Sequence, residues 1–300
     1  LDVSNVESRF RGLRCHTQMP PLPNINADTI TQAVIARHAQ AGDARLREVM
    51  TSLVQHLHAF AREVRLTDAE LQSALRFIAE AAQPAKHELP LLSDTLGLSM
   101  LVAALNERHP RGCTEATLKQ PMQRTEPAPL REPGAWLMPA KKGTALYVRG
   151  HVRSFGGAPV AGAEVEVAQA GATARFACDA QGLYHFRTAL AEPQQLPHEG
   201  PVGRLLVALG RETWRPAHLH FQVQAPGHRA LVTHVFREGS PHLDSDAAFA
   251  VRRSLVARWV EHGPGKTPDG STSREPFFTL DFDFVLQPLE AQQPQQQRAA

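Results

Sequence analysis

The chain has 300 residues, 42% hydrophobic and 21% charged, a balance that excludes disorder as its main state and allows one large domain or two modest ones. With 32 basic against 30 acidic residues the net charge is +2, which excludes the broad cationic face needed for nucleic-acid binding by counterion release. Cys15, Cys113 and Cys178 lie far apart with no CxxC spacing, so no disulfide framework or cysteine zinc site is indicated and a reducing, cytoplasmic setting is expected.

No apolar run approaches the roughly 20 residues of a membrane span, and no basic-then-apolar signal segment opens the chain. Residues 1–23 read as a tail. From Leu46 to Phe60, the set Leu46, Val49, Met50, Leu53, Val54, Leu57 and Phe60 recurs at helical spacing and predicts one buried stripe on a long helix. Thr67 and Glu70 form a capping-box pattern ahead of a second helix carrying Leu71, Ala74, Leu75 and Ile78 on its inner face. A third helix is expected through Leu96, Met100, Val102 and Leu105, ending before Pro110 and Gly112. Pro121, Pro127, Pro129, Pro133 and Pro139 then mark an extended linker.

Beyond the prolines the hydrophobic period drops to two. Leu146, Val148 and Val152 share one face, Val165 and Val167 alternate with Glu164 and Glu166, and Phe278, Leu280, Phe282 and Phe284 alternate with polar residues near the end. Gly156-Gly157 and Asp179-Ala180-Gln181-Gly182 supply turns. One helix is expected inside this region, from Ala247 to Glu261, capped by Asp244 or Ser245. The predicted class is α+β: a helical domain over 24–120, a proline-rich linker over 121–143, an antiparallel β-sandwich over 144–286 and a low-complexity Gln-rich tail over 287–300.

The densest chemical signal is Trp214-Arg215-Pro216-Ala217-His218-Leu219-His220-Phe221. Positions i and i+2 of a strand point to one side, so His218 and His220 present two imidazoles together, as a metal site requires, while Leu219 and Phe221 face the core. Two solvated surface histidines are the alternative reading of the same spacing. Arg215 adds a cation beside Pro216.

These residues, with Ala225-Pro226-Gly227-His228-Arg229 and Val232-Thr233-His234-Val235-Phe236, resemble the intradiol ring-cleavage dioxygenases. The stretches Leu196-Pro197-His198-Glu199-Gly200-Pro201-Val202-Gly203-Arg204, Gly239-Ser240-Pro241-His242-Leu243-Asp244-Ser245-Asp246 and Leu92-Ser93-Asp94-Thr95-Leu96-Gly97-Leu98-Ser99-Met100-Leu101 are most similar to its hydroxyquinol 1,2-dioxygenase branch. The resemblance runs over about residues 25–286. It implies a helical domain that forms a homodimer, often with lipid between subunits, and a β-sandwich holding non-haem Fe(III). In the family, an aromatic diol chelates the iron and O2 opens the ring between the hydroxylated carbons. Carried over, His218 and His220 are the imidazole ligands, Arg215 is the catalytic guanidinium beside the electron-rich ring, and Leu91, Asp94, Leu196 and Pro197 fall at substrate-pocket positions. His234 lies where the hydroxyquinol branch also has histidine.

The chain departs from the family at its anionic ligands. Six residues before Gly200-Pro201 the family has a tyrosinate; this chain has Gln194. The second tyrosinate belongs to a long loop after Val165-Glu166-Val167, here cut to Ala168–Ala174 with no tyrosine. Neither Tyr147 nor Tyr184, the chain's two tyrosines, matches a ligand position. The family's Gly-Pro-Phe is also changed, to Gln120-Pro121-Met122. A neutral glutamine and water in place of two phenolates favour a softer divalent ion, Fe(II) or another, or weak occupancy in place of the Fe(III) that the resemblance implies, and Gln194 cannot act as the base that takes a diol proton. His185, His198 and Glu199 are the nearest substitute donors in sequence. Three readings follow: an oxygenase of intradiol type acting on hydroxyquinol- or catechol-like diols, a metal-dependent enzyme that activates water or a carbonyl, and an impaired homologue that binds diols without turnover.

Overall fold

The computed structural model describes residues 25–83, 88–107, 110–118, 127–140 and 143–289. The tail over 1–23, Cys15, the Gln120-Pro121-Met122 stretch and all but the start of the Gln-rich tail lie outside the described residues. The chain divides into two units, residues 1–76 and 77–300.

In the first unit, α1 (Ile30–His38) is followed by α2 (Ala44–Glu63) and the greater part of α3 (Asp68–Ala81). Asp43 opens α2 by accepting the Arg45 and Leu46 N–H groups at 2.9 and 3.0 Å, two donors that a helix start otherwise leaves unpaired. The Thr67–Glu70 capping box forms as expected: Thr67 N–H donates to Glu70 Oε2 at 2.9 Å, and Glu70 N–H to Thr67 Oγ1 at 3.3 Å. Arg62 ties α2 to the start of α1 through the Ala27 carbonyl and Thr31 Oγ1. The expected stripe on α2 exists but is not buried within the chain. No residue of α2 is buried, and Leu57 and Phe60 are each 53% exposed.

The second unit holds the end of α3, then α4 (Glu88–Thr95) and α5 (Leu98–Asn106). Its strands are β1 (Leu130–Arg131), β2 (Ala145–Ser154), β3 (Glu164–Gln169), β4 (Ala172–Ala177), β5 (Leu183–Ala189) and β6 (Gln194–Gln195), then, after α6 (Pro201–Ala208), β7 (Trp214–Arg215), β8 (His218–Gln224) and β9 (Leu231–Arg237). The last six are β10 (Val256–Ala257), β11 (Val260–His262), β12 (Gly265–Lys266), β13 (Thr272–Ser273), β14 (Phe277–Asp281) and β15 (Phe284–Leu286). One sheet runs β1-β4-β3-β8-β9-β10; the other runs β11-β14-β2-β15, with β5 paired to β2. Pairing is antiparallel in β3–β4, β3–β8, β8–β9, β2–β5 and β11–β14, and parallel in β14–β2, β15–β2, β1–β4 and β10–β9.

Between the two sheets lies the core predicted by the period-two pattern: Leu146, Val148 and Val152 of β2, Val165 and Val167 of β3, Leu219, Phe221 and Val223 of β8, and Phe186 and Phe284. Each large side chain fully buried here contributes about 1.5–3 kcal/mol. The final aromatic run breaks at Phe282-Asp283 yet keeps register, Asp281 opposite Arg149 and Phe284 opposite Val152. Gly150 permits this, since a Cβ there would overlap the Phe282 carbonyl.

Three further expectations are corrected. The helix from Ala247 to Glu261 does not form; the segment holds a 3₁₀ turn, Arg253–Leu255, and the strands β10 and β11. Phe249 takes a left-handed φ of 54°, which ends any helix, and Val256-Ala257 pairs with Phe236-Arg237 instead. The proline-rich stretch is not an extended linker from Pro127 onward: β1 joins the larger sheet, and Ala128 and Leu137 are buried. The division between units falls inside α3 rather than at the prolines, because α4 and residues 114–117 are bonded to the rest of the second unit. Glu88 accepts the Val202 N–H at 3.0 Å, Arg211 donates to the Thr95 carbonyl at 2.6 Å, and Thr117 N–H donates to Val232 O at 2.9 Å.

Candidate active site

Strand β8 sends Leu219 and Phe221 into the core and His218 and His220 to the opposite face. That face is not solvent. A second cluster, built from Leu118, Phe236, Ala248, Ala250 and Leu255, covers it, and both histidines are only 7% exposed. The register of β8 on β9 sets His220 opposite His234 and His218 opposite Phe236. The His234 ring centroid lies 5.0 Å from that of His218 and 4.8 Å from that of His220.

Hydrogen bonds assign the ring nitrogens. His218 Nδ1 donates to the Pro216 carbonyl at 2.7 Å, so its proton sits on Nδ1 and the Nε2 lone pair is free. His234 Nδ1 pairs with Thr117 Oγ1 at 2.6 Å. His220 is held by a hydrogen bond to the Leu118 backbone, and its Nε2 is buried with no partner. Burial, and then the Arg215 charge, push His218 down to about 3 and His220 down to about 4; the same causes hold His234 well below the ordinary imidazole value. All three rings are therefore neutral at pH 7, the state in which imidazole is a ligand.

Arg215, on β7, is nearly buried and its Nε donates to Asp246 Oδ1 at 3.0 Å. Its Nη2 is the second unpartnered buried atom of the site. Asp94, at the end of α4, is half-buried; burial raises its carboxyl, against a hydrogen bond to Ser99 and the nearby Arg215 charge, which lower it. Pairing of β6 with β7 sets Gln194 opposite Arg215, and Leu196 N–H donates to the Thr213 carbonyl at 2.8 Å. Leu91 and Leu196 are half-buried, whereas Pro197 is exposed. Behind them, α6 begins where Glu88 caps Val202, and a Cβ on Gly200 or Gly203 would overlap the Glu88 carboxylate or the His198 backbone.

The tyrosines stand elsewhere. Tyr184 is fully buried in the core with its hydroxyl donating to Phe282 O at 2.7 Å, and Tyr147 packs edge-on against Phe277. The loop after β3 is a two-residue hairpin turn, Ala170-Gly171, both at positive φ (46° and 84°), with Gln169 paired to Ala172. His185, His198 and Glu199, the donors nearest in sequence, are exposed, and His185 sits on the other sheet. Among the described residues no group of three or more His, Cys, Asp or Glu is arranged to hold a metal ion. Two neutral imidazoles suit a borderline divalent ion; without an anionic donor they do not fit Fe(III). Asp246, Thr117 and Glu88 were missed in the sequence because each acts on a residue far away in the chain.

The dioxygenase family model matches residues 131–288, and the catechol dioxygenase N-terminal model matches residues 43–114. The 6-chlorohydroxyquinol 1,2-dioxygenase of Cupriavidus pinatubonensis is 46% identical over 278 residues, covering 86% of this chain and 96% of that protein. The hydroxyquinol 1,2-dioxygenase of Nocardioides simplex is 38% identical over 86% of this chain and 94% of its own. Among solved structures, hydroxyquinol 1,2-dioxygenase from Pseudomonas putida superposes with a TM-score of 0.79 at 34% identity, covering 88% of this chain and 99% of that one. No single helix among the described residues is long and apolar enough to cross a membrane. With the helical and sandwich parts both matched, and with the paired histidines of β8 beside a buried arginine, the chain belongs to the intradiol ring-cleavage dioxygenases, on the side of the family occupied by hydroxyquinol 1,2-dioxygenases.

Proposed function

We propose that the pocket at His218, His220 and Arg215 takes hydroxyquinol- or catechol-like aromatic diols and opens them slowly with O2, at a divalent metal ion held by the two histidines. The observation that carries this reading is the pair of unpartnered buried atoms, His220 Nε2 and Arg215 Nη2, in a site whose imidazoles are all neutral. A buried lone pair and a buried cationic N–H each call for a ligand. Asp94, Leu91, Leu196 and Pro197 supply the walls of the proposed pocket. The partner of the exposed α2 stripe is proposed to be a second copy of the chain.

A second reading, a homologue that binds diols without intradiol turnover, is favoured by Gln194 and the Ala170-Gly171 turn, which leave neither tyrosinate position with a side chain that can take the diol proton. Loss of such a base alone lowers turnover by about a hundredfold or more. Oxygen uptake and ring-opened product, followed with hydroxyquinol and catechol under Fe(III), Fe(II), Mn(II) or Zn(II), separate the two. Slow, metal-dependent cleavage that disappears in His218→Ala and His220→Ala supports the first reading. Binding by anaerobic calorimetry with no product supports the second. Absence of both binding and product removes the diol assignment.

A further inference from the structure

Asp246 is 3% exposed and accepts three hydrogen bonds. Oδ2 accepts the Ala250 N–H at 2.8 Å, and Oδ1 accepts the Ala248 N–H at 3.3 Å and Arg215 Nε at 3.0 Å. The segment is fixed in turn to β7, where Ala247 N–H donates to the Trp214 carbonyl at 3.0 Å. Two backbone amides therefore hold the carboxylate so that it cannot rotate, and the carboxylate holds the guanidinium by one nitrogen only. Arg215 has five N–H donors in a rigid plane, so fixing Nε fixes where the others point. One of them, Nη2, is buried and unpaired.

We infer that Asp246 is a positioning residue of the diol pocket: it pins Arg215 through Nε and so keeps Nη2 directed at the place where a substrate oxygen sits. This rests on the proposal that the pocket binds aromatic diols. A charge-assisted hydrogen bond from a pre-oriented guanidinium is stronger and loses less side-chain freedom on binding than one from a mobile arginine. A carboxylate that only shaped the 246–250 turn would act independently of Arg215, and that difference can be measured.

Asp246→Asn, Arg215→Ala and the double variant form a cycle, read by anaerobic calorimetry with hydroxyquinol and by hydrogen exchange of the Arg215 Nε–H in NMR. The asparagine keeps a carbonyl oxygen for Ala250, and Asp246→Glu, which keeps the charge but displaces it, serves as the second variant. Asp246→Asn is expected to weaken hydroxyquinol binding about tenfold in the wild-type background and less than about twofold in the Arg215→Ala background, with Nε–H protection lost. Equal losses in both backgrounds, or undiminished affinity in Asp246→Asn, overturn the proposal. Should the wild type bind no hydroxyquinol, the diol reading fails by itself. Nε–H protection then decides the anchoring role, and protection unchanged in Asp246→Asn and Asp246→Glu overturns it.

Discussion

Acidification from pH 7 to pH 5 is expected to remove much of the stability of the β unit. An ordinary histidine titrates near 6.5, whereas burial and the Arg215 charge hold His218 at about 3, His220 at about 4 and His234 lower than the ordinary value by a wide margin. Each folded-state value lies below the unfolded one, so the unfolded chain takes up protons first as pH falls. The stability is intact above about 6.5 and is lost on the way down to the folded values. Integrated between pH 7 and 5, one such imidazole accounts for about 2 kcal/mol, and three for about 6 kcal/mol, comparable to the whole stability of many domains. Asp94, whose carboxyl is raised, acts with the opposite sign, but it is one group against three. Asp269, lowered to about 2 by its Thr267 and Ser271 hydrogen bonds, titrates below this window. The assay is the urea midpoint at half-unit pH steps on chelator-treated protein, by circular dichroism. His234→Gln should flatten the fall by about a third, about 2 kcal/mol across the window. A midpoint that does not move between pH 7 and 5, or a slope unchanged in His234→Gln, would refute the buried neutral cluster.

Ala170 sits at a φ of 46°, a conformation that costs a residue with a Cβ about 1 kcal/mol. Ala170→Gly should accordingly raise the thermal midpoint, and a lowered midpoint would show that the loop is not the two-residue turn. Protein supplied with Fe(III) should stay nearly colourless in the visible range, since Tyr184 is buried with its hydroxyl committed to Phe282 and Tyr147 lies against Phe277. A strong band that vanishes in Tyr147→Phe or Tyr184→Phe would contradict this. Leu57→Glu on the exposed face of α2 should convert a dimer to a monomer in light scattering at micromolar concentration; a wild-type monomer, or a dimer indifferent to the substitution, removes the homodimer proposal.

Local patterns in the sequence were sufficient for α2, for the Thr67–Glu70 cap and for the inward set of β2, β3 and β8, because each depends on residues within a turn or on strict alternation. The pairing of His218 and His220 was legible for the same reason: it is a consequence of the strand period alone. The lost tyrosine positions were legible only through family resemblance, since no rule of spacing marks Gln194 as a ligand position.

Other features depended on partners far along the chain. Period and capping residues favoured a helix over 247–261, yet parallel pairing of Val256-Ala257 with Phe236-Arg237 and the left-handed turn at Phe249 replaced it, because tertiary pairing outweighs propensities of a few tenths of a kcal/mol per residue. His234 joins the histidine pair only through the register of β9 on β8, 14 residues beyond His220. Asp246 reaches Arg215 from 31 residues away. The sequence by itself determined which residues could be neutral imidazoles on one face of a strand. The tertiary structure decided that this face is covered, that its charges are paired on one side only, and that two polar atoms remain for a ligand, because burial and long-range hydrogen bonding are properties of the packed chain and not of any segment within it.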